Sequence, residues 1–203
     1  VFHLQWKKAV QQIQQKPDVI YSRSFPLSSA MMALKLQQYY KVPWIMHLSD
    51  PWADSPIHNY SPKQYAYHKK WETACLKAAS YVCFTSELTI EMYQKSHPEY
   101  KDKYQYFPNV FDPADIIPNP YQFGAKIKVV YTGGLVGPRN ISYLINALRL
   151  LKKEAAEMLA SFEFIFAGAM DRASEALFRQ HEFDNIKHVG MLSYSEALDL
   201  QRN

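Results

Sequence analysis

Residues 127–148 read Ile-Lys-Val-Val-Tyr-Thr-Gly-Gly-Leu-Val-Gly-Pro-Arg-Asn-Ile-Ser-Tyr-Leu-Ile-Asn-Ala-Leu, and they carry the pattern of a strand, a glycine turn and a helix. The β-branched and aromatic residues of 127–131 predict a short buried strand. Apolar residues then recur at helical spacing, at Ile141, Leu144, Ile145, Leu148 and Leu151. A strand, a tight turn and a helix in this order predict an α/β fold with a parallel sheet.

The turn between this strand and helix has the composition of an anion-binding loop. Gly133, Gly134 and Gly137 allow backbone torsions that other residues resist, and they let a ligand approach the main chain closely. Pro138 suits the first turn of a helix, whose unpaired N–H groups and dipole attract a phosphate. Arg139 adds a permanently charged guanidinium. We therefore expect Gly133, Gly134 and Arg139 to bind phosphate; a tight connection with a solvated Arg139 is the open alternative.

The same turn is a poorer match to the dinucleotide fingerprint. Residues 132–137 fit G-x-G-x-x-G only if Thr132 replaces the first glycine. The next predicted strand, 162–167, ends in Gly168 and not in the acidic residue that would hold a ribose. No dinucleotide cofactor is therefore expected.

The composition is that of an ordinary globular protein of one or two domains: 203 residues, 48% hydrophobic and 21% charged. No apolar run has the length of a membrane span, and the first residues do not resemble a signal peptide. Cys75 and Cys83 fall in apolar patterns, so we expect two core thiols in a reducing cytoplasm.

Charge and ligand spacing restrict the partners only loosely. A net charge of +4 permits attraction to phosphates or to an anionic membrane face and requires neither, so peripheral membrane association is compatible with it. Seven histidines and two cysteines show no paired zinc spacing, and no metal is expected. No nucleic-acid partner is expected either.

Strand and helix patterns alternate along the chain, which predicts parallel sheets with helices on both faces. Residues 108–124 interrupt the alternation with four prolines, at 108, 113, 118 and 120, and we predict a linker there. The boundary near Gly124 gives domains 1–124 and 125–203. The predicted strands are 18–22, 44–48, 81–85, 104–107, 127–131, 162–167 and 187–189; the predicted helices are 3–15, 30–39, 63–79, 86–95, 140–158, 172–181 and one starting at Ser193.

Polar residues stand where two strands of the first domain end, at the edge where parallel sheets bind ligands. Asp50 opens the long polar loop after strand 44–48 and could orient a sugar hydroxyl or act as a base; the alternative is that it caps a turn. Arg23, after strand 18–22, could bind an anionic acceptor, or be an exposed charge. His47 is interpreted as a core histidine, and Glu72 as a surface or interhelix partner.

Short motifs follow one another through nearly the whole chain: Pro17–Ser22, Val42–Trp52, Glu72 ahead of Ala78–Val82, Phe107–Asp112, Val130–Gly134, Phe166–Gly168 and His188–Gly190. Each is weak alone, but the ordered set resembles glycosyltransferase family 4. That family has the GT-B fold, with two Rossmann-like domains and a cleft. The resemblance therefore implies an α/β chain with two Rossmann-like parallel-sheet domains of GT-B type, both incomplete.

The resemblance also implies an activity. A sugar would pass from a nucleotide-sugar donor, with retention at the anomeric carbon and no metal or other cofactor, to a sugar or lipid-linked acceptor. The product would be a cell-surface polysaccharide or a glycolipid, made in the cytoplasm at the inner membrane face. Two rivals stay open: a sugar-nucleotide epimerase of the same fold, and a non-catalytic domain that binds a nucleotide-sugar or a partner. The oligomeric state is not implied.

Family roles map onto the second domain only in part. The glycine turn after the first strand of that domain holds the donor diphosphate, with an Arg after the first Gly and a Lys a few residues later. Here Gly134 stands at the Arg position and Arg139 matches the Lys, so one cation is missing. Met191 and Leu192, after Gly190, match the stretch whose backbone meets the nucleobase.

In the first domain, the loop after strand 44–48 matches the acceptor side of the family. We expect Arg23, Ser49 and Trp52 there, with Asp50 as the catalytic residue close to where many members place a His. The family's first strands and their glycine-rich loop precede the first residue of this chain, and a donor-binding segment with two glutamates should follow Asn203. We therefore expect an interior piece of a longer enzyme that is inactive by itself.

Overall fold

The computed structural model describes residues 2–56, 58–115, 124–137 and 139–202, and it divides the chain into two units, Val1–Val110 and Phe111–Asn203. The division falls within the predicted linker, and the boundary near Gly124 stays a prediction. Pro118 and Pro120 of that linker, and Pro138 of the glycine turn, lie outside the described residues.

The first unit contains a sheet of four parallel strands in the order β1-β2-β3-β4. The strands are β1 Ile20–Ser24, β2 Trp44–Leu48, β3 Tyr81–Phe84 and β4 Tyr104–Tyr106. The helices are α1 Trp6–Gln12, α2 Ser28–Tyr40, α3 Pro62–Ala78 and α4 Glu87–Ser96, with 3-10 turns at Phe2–Gln5, Pro98–Lys103 and Pro113–Asp115, the last of these in the second unit.

The two faces of this first sheet differ because side chains alternate along each strand. On one face Trp44, Met46 and Phe84 are fully buried and belong to the same apolar core as residues of α2, α3 and α4. On the other face Tyr21 and Tyr81 are more than half exposed. The core therefore lies on the helix-covered side of the sheet.

The second unit contains a sheet of three parallel strands in the order β5-β6-β7. The strands are β5 Ile127–Thr132, β6 Phe162–Ala167 and β7 Ile186–His188; the helices are α5 Ser142–Glu154, α6 Ala156–Ala160, α7 Arg172–Gln180 and α8 Tyr194–Arg202. The central strand β6 is the most buried, and its Phe164 and Phe166 form a core with Leu148 of α5.

Most helix predictions are confirmed, and the differences are local. The chain leaves helical torsions at Ala155 (φ −152°, ψ 65°), so the predicted helix 140–158 is two helices. Ser86 occupies the N-cap position of α4 but accepts no side-chain cap hydrogen bond. The capping box before α8 is confirmed, because Ser193 N–H donates to Glu196 Oε2 at 2.8 Å and Glu196 N–H donates to Ser193 Oγ at 3.3 Å.

The two thiols are free, as expected: Cys75 is buried and Cys83 is half-buried. Burial raises the pKa of the Cys75 thiol far above its usual range, so this side chain behaves as an apolar core group. None of the helices that the structure describes combines the length and the apolar character that crossing a bilayer requires.

Candidate functional site

The carboxyl ends of all three strands of the second unit meet at one edge of the sheet. Gly133 N–H donates to Ala167 O at 2.8 Å, and Gly168 N–H donates to Gly190 O at 2.8 Å. These bonds extend the ladder past the strands, so the glycine turn lies directly beside the segment that follows β6. Glycine is required at position 168: its φ is +134°, and a Cβ there would lie 2.1 Å from Gly133 O.

A cavity of about 290 Å³ opens at this edge. Gly133 and Gly134 line it together with Met191 and Leu192, so the structure brings together the residues assigned to the donor phosphate and to the nucleobase. Met191 is 75% exposed, and its side chain is available to a ligand. The strand-end rule for parallel sheets places ligands at this position.

Helix α8 closes one side of the cavity through Ala197, a residue that the sequence did not single out. The side chain of Gln201 contacts the hydroxyl of Thr132, which ties α8 to the end of β5. In the sequence, this helix was indicated by the capping box at Ser193. A capping box marks where a helix begins, but it does not show which part of the protein the helix packs against.

Arg139 is not among the residues that line this cavity. Its side chain is exposed and lines a separate cleft of about 510 Å³, together with Tyr131, Leu135, Leu144 and Phe166. The structure thus places Arg139 in the lining of one cavity and Gly133 and Gly134 in the lining of another.

Two N–H groups of the predicted phosphate-binding turn and helix start already donate hydrogen bonds to side chains of the protein. Gly137 N–H donates to Asp171 Oδ2 at 2.8 Å, and Asp171 Oδ1 accepts from Ser174 N–H at 2.8 Å. Hydrogen bonds from the Ser174 and Gly137 N–H groups lower the pKa of the Asp171 carboxyl. At the start of α5, Asn140 Oδ1 accepts from Ser142 N–H at 3.0 Å. Gly133 N–H is also used, by Ala167 O, and Gly133 and Gly134 are the residues of the turn that line the cavity.

Asp171 is a residue that sequence reasoning missed. A weak signal was available, because Asp directly before a helical pattern is a favoured N-cap. Nothing local indicates that the second carboxylate oxygen reaches Gly137, which lies far away along the chain. The contact exists because β5 and β6 are neighbours.

In the first unit, the structure brings Arg23 and Ser49 together at the carboxyl edge of the sheet. Arg23 Nη2 donates to Asn109 Oδ1 at 2.6 Å, and Arg23 Nε donates to Ser49 Oγ at 3.4 Å. Ser49 Oγ donates in turn to Ser24 O at 3.1 Å. Asp50, the next residue, is exposed and makes no ion pair within the described part of the chain. Asn109 is part of the Phe107–Asp112 motif, but the sequence alone assigned it no role.

The structure corrects the prediction for Trp52. Its ring is fully buried, Nε1 donates to His68 Nδ1 at 3.0 Å, and its backbone N–H donates to Tyr93 Oη at 3.0 Å. A side chain without exposed surface cannot stack on an acceptor. Trp52 instead anchors the loop after β2, because a large apolar ring gains most by entering the core.

The buried carboxylate of Glu72 also stabilises the loop after β2. It is 1% exposed; Oε1 accepts from Tyr93 Oη at 2.5 Å and from Ala53 N–H at 3.2 Å. Lys69 Nζ lies 3.3 Å from Oε2 and supplies the opposite charge. The prediction of an interhelix partner is confirmed, since Glu72 joins α3 to α4 and to the loop.

His47 is buried beside Arg23, with which it is paired in the β1–β2 register. Its Nδ1 lies 2.6 Å from Tyr21 Oη, and its Nε2 has no hydrogen-bond partner in the described part of the chain. Burial, followed by the nearby charge of Arg23, lowers the pKa of His47. The imidazole is therefore neutral near pH 7, and the prediction of a core histidine is confirmed.

Comparison with known proteins gives structural neighbours only. No family model matches the chain, and no curated protein sequence matches it. The apo structure of OtsA superposes with a TM-score of 0.67 at 10% identity, covering 97% of this chain and 52% of OtsA. A trehalose-6-phosphate structure from E. coli bound with UDP-2-fluoro glucose gives a TM-score of 0.66 at 10% identity, covering 97% and 52%. The S. aureus MnaA–UDP co-structure gives 0.53 at 11% identity, covering 98% and 52%.

The chain therefore spans about half the length of these solved structures. Identity this low shows the fold alone. The class is an α/β protein with two Rossmann-like parallel sheets, and its structural neighbours confirm the predicted GT-B type. Membership of glycosyltransferase family 4 stays a prediction.

Proposed function

We propose that this chain serves in glycosyl transfer from a nucleotide-sugar donor, with retention at the anomeric carbon. One observation carries the proposal: a single cavity at the carboxyl edge of β5–β7 is lined by Gly133, Gly134, Met191 and Leu192. Structural neighbours determined with UDP or UDP-2-fluoro glucose support a donor of this class.

In this proposal the donor diphosphate lies against the main chain of Gly133 and Gly134, where the absence of Cβ atoms permits close approach. The nucleobase lies toward Met191 and Leu192. Gly133 N–H already donates to Ala167 O, so in this proposal the main chain at Gly134 stabilises the charge of the departing diphosphate as the glycosidic bond breaks. Arg139 contributes after its long, exposed side chain turns from its own cleft toward the phosphates.

On the acceptor side, the proposal assigns Asp50 as the catalytic residue, with Arg23 and Ser49 as acceptor contacts. Asp50 is exposed at the carboxyl edge of the first sheet, where a carboxylate can orient or deprotonate an acceptor hydroxyl. Trp52 is left out, because it is buried. We further propose a sugar or lipid-linked acceptor, polysaccharide or glycolipid synthesis at the cytoplasmic membrane face, and no metal or additional cofactor.

The donor site is tested by calorimetric titration of the 203-residue chain with UDP. Replacing Ala197 by Trp fills the cavity from the α8 side, and we expect the affinity for UDP to fall by at least about tenfold. Ala160→Trp, on the exposed surface of α6, is the matched control and should bind UDP like the unmodified chain. Equal affinities of the two variants would place UDP outside this cavity and contradict the proposal.

A further inference from the structure

We propose that the acceptor carries a phosphate group and that Arg23, held by Asn109 and Ser49 at the carboxyl edge of the first sheet, binds this group. The inference rests on the proposed function, because it names the chemical class of the acceptor. Sugar phosphates and lipid-linked phosphates share this group.

The guanidinium of Arg23 is oriented before any ligand arrives. Nη2 donates to Asn109 Oδ1 at 2.6 Å and Nε donates to Ser49 Oγ at 3.4 Å, while Ser49 is itself held by Ser24 O at 3.1 Å. A guanidinium has more N–H donors than these two contacts use, and its remaining donors are arranged as a planar fork. That fork matches the oxygens of a phosphate, and fixing it in advance lowers the entropic cost of binding.

The charge of Arg23 is also uncompensated. Arg149, Arg179 and Arg202 are each paired with a carboxylate at 2.7–3.2 Å, whereas Arg23, like Arg139 and Arg172, has no ion pair among the described residues. Arg23 has only neutral partners within the described residues, although Asp50 directly follows Ser49 in the chain. Neutral partners hold the side chain in place and leave its whole charge for an anion.

The groups behind Arg23 add no second charge. His47, its register partner on β2, is buried and neutral, and Phe107 packs edge-on against the imidazole at 5.5 Å. The hydroxyl of Tyr21 lies 2.6 Å from Nδ1 of the same imidazole. Arg23 itself is exposed, so a ligand can reach its guanidinium, and no neighbouring cation among the described residues on this side of the sheet competes for the ligand.

The position fits an acceptor. Ligands bind outside the carboxyl ends of parallel strands. Arg23 is the penultimate residue of β1, and Ser49 directly follows β2. A phosphate bound by the remaining donors of Arg23 would lie at the same edge of the sheet as Asp50, the residue proposed to act on the acceptor hydroxyl. The anionic group would then fix the acceptor's orientation through a contact that takes no part in the reaction.

The test is an NMR titration of the ¹⁵N-labelled 203-residue chain with sn-glycerol 3-phosphate and with geranyl monophosphate, each compared with its uncharged alcohol. We expect saturable shifts of the Ser49 and Asn109 amides with the phosphates alone. Arg23→Gln should weaken phosphate binding about tenfold. Arg179→Gln, the same change at an exposed arginine of α7, should not alter it.

Asn109→Asp separates binding from structure. The carboxylate keeps the contact with Arg23, so tryptophan fluorescence should report an unfolding transition at least as high as that of the unmodified chain. The new ion pair neutralises the guanidinium, and phosphate binding should fall as far as in Arg23→Gln. Unchanged phosphate binding in either variant, or equal shifts with the alcohols, would overturn the proposal.

The two phosphates distinguish the source of the group. Tighter binding of geranyl monophosphate indicates a lipid-linked acceptor. Binding of sn-glycerol 3-phosphate that is as tight or tighter indicates a soluble phosphorylated acceptor, and both outcomes support the anion site. UDP titrated into the same sample reports separately on the Gly133 and Met191 amides. A failure of the donor site is therefore distinguishable from a failure at Arg23.

Discussion

The main chains of Gly133 and Gly168 touch so closely that a Cβ atom on Gly168 would lie 2.1 Å from the carbonyl oxygen of Gly133. This contact joins the glycine turn after β5 to the end of β6, and both glycines line the proposed donor cavity. The cavity exists because no side chain stands between the two segments.

Gly168→Ala should therefore lower the free energy of unfolding of the second unit by on the order of 3 kcal/mol, from steric overlap and a strained φ of +134°. Gly137→Ala is the control, since φ is +59° there and a Cβ meets open space; we expect a loss of about 1 kcal/mol. Far-UV circular dichroism during urea unfolding measures both. Tryptophan fluorescence does not report on this unit, because its residues include no tryptophan. Equal losses would contradict the overlap.

Glu72→Ala should destabilise the first unit by roughly 3 kcal/mol, because it leaves Tyr93 Oη and Ala53 N–H without their acceptor. Glu72→Gln keeps an amide oxygen for these donors and should cost less. Tryptophan fluorescence follows this unfolding, since all four tryptophans belong to the first unit. Glu91→Ala, at an exposed position of α4, should be close to neutral. A loss of the same small size at Glu72 would show that the loop after β2 is held by other contacts.

The stability of the first unit should decrease as pH falls through about 6.5. Burial lowers the pKa of His47 in the folded chain, so below this pH the unfolded chain binds a proton that the folded chain does not. His68, whose pKa burial also lowers, contributes in the same direction. His47→Phe should flatten the dependence of the urea midpoint between pH 5.5 and 7.5. An unchanged slope in His47→Phe would assign the dependence to other groups.

Asp171→Asn should release the glycine turn while leaving α7 capped. The amide oxygen can still accept from Ser174 N–H, but the amide nitrogen cannot accept from Gly137 N–H. We expect faster hydrogen exchange at the Gly137 amide and little change at Ser174. Asp184→Asn, an exposed carboxylate in the same unit, should change neither rate. If Gly137 exchanged at its original rate, the Asp171 contact would not be what protects it.

The local pattern of apolar and turn residues was sufficient to predict most of the strands and helices. β2 and β6 begin and end where the sequence placed them, because their apolar runs are bounded by turn residues. β1 begins and ends later than predicted, at Ile20–Ser24. Arg23 and Ser24 are polar, and their local sequence predicts a loop. The strand nevertheless continues through them, because they pair with His47 and Leu48 of β2.

The donor-side cavity was predictable in part. Strand ends in parallel sheets converge, and this rule alone places Gly133 near Met191. Three features of the structure could not be predicted from the sequence. Arg139 lines a different cleft, Asp171 accepts a hydrogen bond from Gly137 N–H, and the Trp52 ring is buried in the core. Each depends on a side-chain direction or on a partner distant along the chain.

The alternation of strands and helices, and the positions that need glycine, can be read from the amino-acid sequence, since both follow from hydrophobic period and allowed torsions over a few neighbouring residues. Tertiary structure alone decided which polar groups are bound to which. It gave Arg23 neutral partners in Asn109 and Ser49, and it gave Glu72 the hydroxyl of Tyr93. These pairs form only when distant segments are packed together. A polar group that leaves water on folding needs a hydrogen-bond partner, and that partner must come from the residues that the fold places nearby.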